Sequence, residues 1–205
     1  ILQINSTQVA DSLVNIINKS QDELIWCQAA TLLGEIKVKN SNTINALIYV
    51  INQSQYEYPQ CMAASSLGKI DSTQSIAKNT LTKLIENSNQ EYVYATASVE
   101  LLKIDPDNLL AINVLIELIF DGNFIGKKID IVEVLWKSNK GKNLFINQII
   151  FFIKNREVKN FYPCNFIIEN YLKYNSFFIS ELTKLISKCD DFEVCRIAAE
   201  ILCKV

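Results

Sequence analysis

The feature that most limits what this chain can fold into is an internal step of 34 residues. Ser20-Gln21-Asp22-Glu23 recurs 34 positions later as Ser54-Gln55-Tyr56-Glu57, and again as Ser88-Asn89-Gln90-Glu91. The same step carries Ala29-Ala30 to Ala63-Ala64 and Ala97-Ser98. It carries Leu33-Gly34 to Leu67-Gly68 and Leu101-Leu102, and Ile36 to Ile70 and Ile104. The preceding half of the unit keeps step: Leu13, Leu47, Leu81 and Leu115 align, as do Ile17, Ile51, Ile85 and Ile119. Ile149 and Ile153 extend the comb into a fifth copy. A sixth copy aligns once one residue is deleted, with Asp190-Asp191 on Gln21-Asp22, Ala198-Ala199 on Ala29-Ala30 and Leu202 on Leu33.

Each unit reads as two helices. Ile44 to Asn52 places apolar residues at 44, 47, 48 and 51, and Glu57 to Ile70 places Met62, Ala63, Ser66, Leu67 and Ile70 on one side. Both patterns have the 3.6-residue period of an amphipathic helix. Ser, Gln and Asn clusters mark the turns between them. Asp105-Pro106-Asp107 interrupts the chain between the third and fourth copies. A lone helix pair cannot bury its own apolar stripe, whereas stacked pairs share one core. Helical bundles have no reason to repeat at this interval. The expectation is an all-α chain, an α-α superhelix of about six two-helix repeats. Their bounds are close to 3–36, 37–70, 71–104, 105–138, 139–172 and 173–205, in a single array over 1–205.

Composition supports helices. Only 5 Gly and 3 Pro occur in 205 residues, and 49% of residues are hydrophobic. The formal net charge of −2 argues against a nucleic-acid partner, although residues 126–160 carry eight Lys/Arg against three Asp/Glu and leave room for a local basic patch. Six cysteines (27, 61, 164, 189, 195 and 203) lack CxxC spacing and no histidine exists, so no zinc site is expected. Buried thiols in a reducing, cytoplasmic setting fit this pattern. Cys27 and Cys61, on adjacent repeats at about the 8–10 Å helix spacing, read as packing residues rather than a disulfide. The longest apolar run, Leu144 to Ile153, is interrupted by Asn147 and Gln148 and is too short to span a bilayer, and no signal peptide is visible. The chain starts at Ile1 and stops at Val205, the place of Ile36 in the first repeat, without a polar cap. The expectation is that the array belongs to a larger polypeptide.

The second-helix segments SQDELIWCQAATLLGEI (20–36) and SQYEYPQCMAASSLGKI (54–70) resemble HEAT-like repeats of the phycobilisome-lyase type. With LLKIDPDNLLAINVLIELI (101–119), they are similar to the HEAT-like arrays that follow the NTPase module of bacterial NACHT-type proteins. The likeness is good over 5–120, weaker over 121–173, and returns at 180–205. Tetratricopeptide repeats share the period, but their Trp, Gly-Tyr and Phe-Pro positions are not consistently filled here. The resemblance implies a protein partner and an attached NTPase domain. It also permits a lyase-type or chaperone-like subunit that handles a bilin chromophore, or a nucleic-acid binder acting through the basic stretch. The family's usual Arg is replaced by Trp26, Gln60, Tyr94 and Lys128, and seven of the ten Phe fall between 145 and 178.

No catalytic constellation is legible. Triads that need His are unavailable, neither GxxxxGK[ST] nor GxGxxG occurs, and no acidic pair stands out. The chain therefore reads as a binding scaffold without cofactor or metal, not as an enzyme and not as a membrane protein. Two rows of residues at equivalent repeat positions are the candidates. Trp26, Gln60, Tyr94 and Lys128 would line the concave face as a partner-binding row, or would cover the edge of the core. Lys69, Lys103 and Lys137, in a row that starts at Glu35 and ends at Lys204, would meet an acidic partner, or would complement helix C-termini.

Overall fold

A computed structural model describes residues 5–121, 128–155 and 168–205. Residues 126–127 and 156–160 of the basic stretch, Cys164, Phe161 and Phe166 lie outside the described residues. The helices group into two compact units, Ile1–Ala111 and Ile112–Val205. Every described element is helical or a turn, and the chain is an all-α helical-repeat protein.

The first unit contains three helix pairs: α1 (Ser6–Lys19) with α2 (Glu23–Ile36), α3 (Ser41–Gln53) with α4 (Glu57–Ile70), and α5 (Ser75–Asn87) with α6 (Glu91–Ile104). Second helices pack side by side, α2 on α4 and α4 on α6, while α1 packs on α3. The sequence explains the helix starts. Side-chain oxygens of Asn5, Asp22 and Asn40 accept from the backbone N–H of Thr7, Leu24 and Thr43 at 2.8–3.0 Å, which satisfies donors a helix leaves orphaned. The aligned Leu and Ile rows form the core, with Ile17, Leu33, Leu47, Leu67, Leu81 and Leu101 inaccessible to solvent.

The Ala-Ala and Leu-Gly pairs set how close the second helices come. A Cβ on Gly34 would lie 2.5 Å from Ser66 Oγ and 2.9 Å from Ser66 Cα, and a Cβ on Gly68 would lie 2.8 Å from Ile104. Ala29, Ala30, Ala63, Ala64 and Ala97 are buried in the same layer. Ser-x-x-Glu works between repeats. The Glu23 carboxylate, at the start of α2, accepts from the Ser54 hydroxyl and from the backbone N–H of Gln55 and Tyr56 in the following repeat. Glu57 repeats the contact, accepting from Ser88 Oγ at 2.5 Å.

The second unit holds α7 (Leu109–Phe120, whose first turn lies in the first unit), α8 (Lys128–Lys137), α9 (Asn139–Lys154), a π-helical turn (Ile168–Leu172), α10 (Ser176–Lys188) and α11 (Phe192–Leu202). Helix α9 packs against α8, α10 and α11, and α10 pairs with α11. Aromatic rings replace small residues here. Phe120 contacts Phe145 and Phe152 with centroids 5.8 and 4.6 Å apart, and Trp136 contacts Tyr171 at 5.4 Å. No helix among the described residues is long and apolar enough to cross a membrane.

Candidate functional site

Three residues of the row Trp26, Gln60, Tyr94 and Lys128 reach the ends of the preceding helices. Trp26 is buried, and its indole Nε1–H points at the end of α1, 3.0 Å from both the Ile17 and Ser20 carbonyl oxygens. In the next repeat the Gln60 amide donates to the Ser54 carbonyl at 2.7 Å. Lys128 donates through Nζ to the Ile119 and Asp121 carbonyls at 2.9 and 2.6 Å. In the last copy Cys195 Sγ takes the same place, facing the Ile186 and Cys189 carbonyls at 3.9 and 3.3 Å. Four unrelated side chains share only a donor. Each satisfies carbonyls left open at the end of a first helix. Half-buried Tyr94 sits third in the row, its own carbonyl accepting from Ser98 Oγ at 2.8 Å. Trp26, Gln60 and Lys128 therefore tie second helices to the ends of first helices.

The basic row divides differently. Lys69 and Lys103, from adjacent second helices, converge on Glu100, with Nζ to carboxylate distances of 3.1 and 2.6 Å. Glu100 is only 7% exposed and also accepts from the Ser65 hydroxyl. Burial alone would raise its pKa. The Lys103 and Ser65 hydrogen bonds, with the charges of Lys103 and Lys69, outweigh burial and hold the carboxyl below its ordinary value. Lys137 belongs to the second unit, exposed in the last turn of α8. Glu35 and Lys204, at the ends of the row, are exposed.

What sequence reasoning passed over is the row two positions before Trp26. Leu24, Tyr58 and Tyr92 follow the same 34-residue step on α2, α4 and α6. All three are exposed, at 65%, 38% and 56%. The Tyr58 and Tyr92 rings meet with centroids 5.7 Å apart at 52°. Beside them a groove of about 620 Å³ runs between the starts of α2 and α4, lined by Asp22, Leu24, Cys27, Tyr56 and Pro59. Burial pushes the Tyr58 phenol up, and neighbouring Cys27, Cys61, Tyr92 and Glu100 add to it, so its hydroxyl stays protonated as a donor. Cys27 and Cys61, beneath this row, are buried free thiols. Burial pushes the Cys61 thiol strongly upward, with the Glu100 charge adding to it, so it is not a ready nucleophile.

The second-helix layer of the first unit thus presents an aromatic strip at its N-terminal end and paired lysines at its C-terminal end. Among the described residues no group of three or more Cys, Asp or Glu side chains is arranged to hold a metal. An amphipathic strip beside cationic groups can bind by stacking and hydrogen bonding, and it contains no pairing of nucleophile and base. No protein-family model, curated protein or solved structure matches the chain.

Proposed function

We propose that the protein is an interaction module, a HEAT-like repeat array whose first unit binds a polypeptide segment on the face of its second helices. The observation that carries this reading is the Leu24, Tyr58 and Tyr92 strip with Tyr56. Leu24, Tyr58 and Tyr92, 38–65% exposed, stand at the regular spacing of the repeat instead of being scattered, and Tyr56 lies beside them. Scattered exposed apolar residues need no explanation, whereas a contiguous strip marks a contact surface. Tyrosine suits such a surface because it brings a large rigid area and a hydroxyl at low entropic cost. In the wider proposal the array recognises a target for an attached NTPase module in the cytoplasm. That setting rests on the sequence resemblance and on the free thiols.

The test is selection of a displayed random-peptide library on the immobilised chain, with Tyr58→Ala/Tyr92→Ala in parallel and helicity checked by circular dichroism. Peptides enriched by the wild type and lost by the double variant are expected. Peptides retained by the variant would move the site off this face. Absence of any enriched peptide would sink the reading.

A further inference from the structure

The same face carries an inference about what it binds, and this rests on the interaction reading above. We infer that its ligand is an acidic polypeptide segment, with an apolar or aromatic residue on the Tyr58–Tyr92 pair and a carboxylate between Lys69 and Lys103. Tyr58 and Tyr92 offer hydroxyl donors, and Lys69 and Lys103 offer ammonium donors, 30% and 43% exposed. The acceptor beneath them is already engaged. One Glu100 oxygen faces Lys103, and the other faces Lys69 and Ser65. Two ammonium groups against one carboxylate leave a single positive charge on the α4–α6 side of the row, while exposed Glu35 holds the same repeat position on α2. Each ammonium has three donors and spends few of them on Glu100. The surplus is in donors and in positive charge, so the complementary ligand supplies acceptors and negative charge.

Tyr58 and Lys69 stand 11 residues apart on α4, which is about 16 Å along a helix rising about 1.5 Å per residue. An extended chain advances about 3.3 Å per residue, so roughly five residues bridge the two ends. The segment is therefore expected to place its acidic residue about five positions from its aromatic or apolar anchor.

A nucleic acid would also bring negative charge and stacking rings. A phosphate backbone repeats its charge at every step. This face turns acidic at its other end, where Asp22 borders the groove and Glu91 begins α6. Those groups would repel a phosphate chain running past the tyrosines, while a peptide can be acidic at one end alone.

The experiment uses the whole chain and two readouts. The peptides selected above are scored for Asp and Glu about five positions from an aromatic or apolar residue. One selected acidic sequence is then synthesised with fluorescein, beside its Glu→Gln and Asp→Asn counterpart, and both are measured by fluorescence anisotropy. The acidic form is expected to bind roughly threefold to fivefold more tightly for each carboxylate seated at the lysines, a gain that shrinks as salt is raised. Lys103→Gln is expected to shrink that difference and to weaken the acidic peptide more than its amide counterpart. The comparison between the two peptides on wild-type protein needs no variant and holds even if Lys103→Gln folds poorly. Selected peptides without acidic bias, or equal affinity of the two forms, overturn the acidic assignment and leave peptide binding intact. A fluorescein-labelled oligouridylate that binds more tightly than the acidic peptide overturns it in favour of nucleic acid. If no peptide is selected at all, the interaction reading itself fails.

Discussion

The two units follow one repeat with different packing solutions. The position of Gly34 becomes Gly68, then Leu102, then Trp136 at successive steps, and the position of Ala29-Ala30 becomes Ala63-Ala64, Ala97-Ser98 and Ile131-Val132. In the first unit the small residues let neighbouring second helices approach until a single added Cβ would clash. In the second unit buried Ile131 and Val132, the Trp136–Tyr171 contact and the Phe120, Phe145 and Phe152 cluster fill the layer with volume instead. Both solutions satisfy the demand for dense packing. They differ in what they leave outside. The first sets Tyr58 and Tyr92 in an exposed row above its small residues, and the second uses the rings of Phe145 and Phe178 to fill its core while Phe151, Tyr174 and Phe192 stay exposed.

The largest expected effect tests the aromatic side of this contrast. Phe145 is inaccessible to solvent and its ring lies against Phe120. Phe145→Ala removes a buried ring and leaves a cavity, so a loss of about 3–5 kcal/mol is expected in denaturant unfolding. A loss under about 1 kcal/mol would mean that the cluster repacks freely, and volume would not be what organises this unit.

The small-residue side predicts two unequal costs. Gly34→Ala pushes a methyl group against the Ser66 backbone, and overpacking of that kind costs about 1–3 kcal/mol, toward the upper end when backbone must move. Alanine's better helix propensity returns about 1 kcal/mol, leaving a net loss of about 1–2 kcal/mol. In Gly68→Ala the nearest atoms the methyl meets all belong to the Ile104 side chain, so no backbone has to move and a smaller net loss, about 0–1 kcal/mol, is expected. Equal melting temperatures for the two variants would break the claim that these helices touch at backbone range.

Much of this was legible because a repeat multiplies weak signals. The 34-residue comb marks Ala-Ala, Leu-Gly and Ser-x-x-Glu, and each has a contact between neighbouring repeats. Where side chains point was harder to read. Trp26, Gln60, Lys128 and Cys195 share neither size nor charge, only a hydrogen-bond donor, and a donor's target is a backbone carbonyl that no sequence displays. Glu100 was hidden for the opposite reason. Its counterparts are Leu32 and Ser66, so a search for recurring residues skips the one place where the pattern is broken. The tyrosine row did recur, and counting outward from the buried Ala-Ala pair would have found it.

That broken position carries the pH dependence. Glu100 has a lowered folded-state pKa, so its contribution to stability is complete above the ordinary carboxylate range and is lost as pH falls through the folded value. Glu23, whose burial is outweighed by its bonds to Ser54, Gln55 and Tyr56, is shifted the same way. Unfolding free energy is therefore expected to fall below about pH 4. Glu100→Gln should cost about 1–2 kcal/mol at neutral pH, a figure discounted because its lysine partners are half exposed, and should flatten part of that acid slope. An unchanged slope would place the acid sensitivity in other carboxylates.

A further small effect concerns the helix ends. Lys37 follows α2 with φ 57°, in the left-handed region, whereas Asp71 and Asp105 at the same repeat position have φ −147° and −142°. A side chain in the left-handed region costs roughly 1–2 kcal/mol through the contact of Cβ with the carbonyl oxygen, and glycine avoids that contact. Against this, glycine frees the unfolded chain by about 0.4–1 kcal/mol. The first term wins, and Lys37→Gly is expected to stabilise by about 0.5–1 kcal/mol, seen as a higher melting temperature. Asp71→Gly should act in the opposite direction. Its backbone is extended and gains nothing from glycine, while its carboxylate accepts from Thr73 and Gln74 and pairs with Lys39 at 3.0 Å. Same-sign changes in the two variants would mean that the turn after α2 adopts the extended geometry of its two successors.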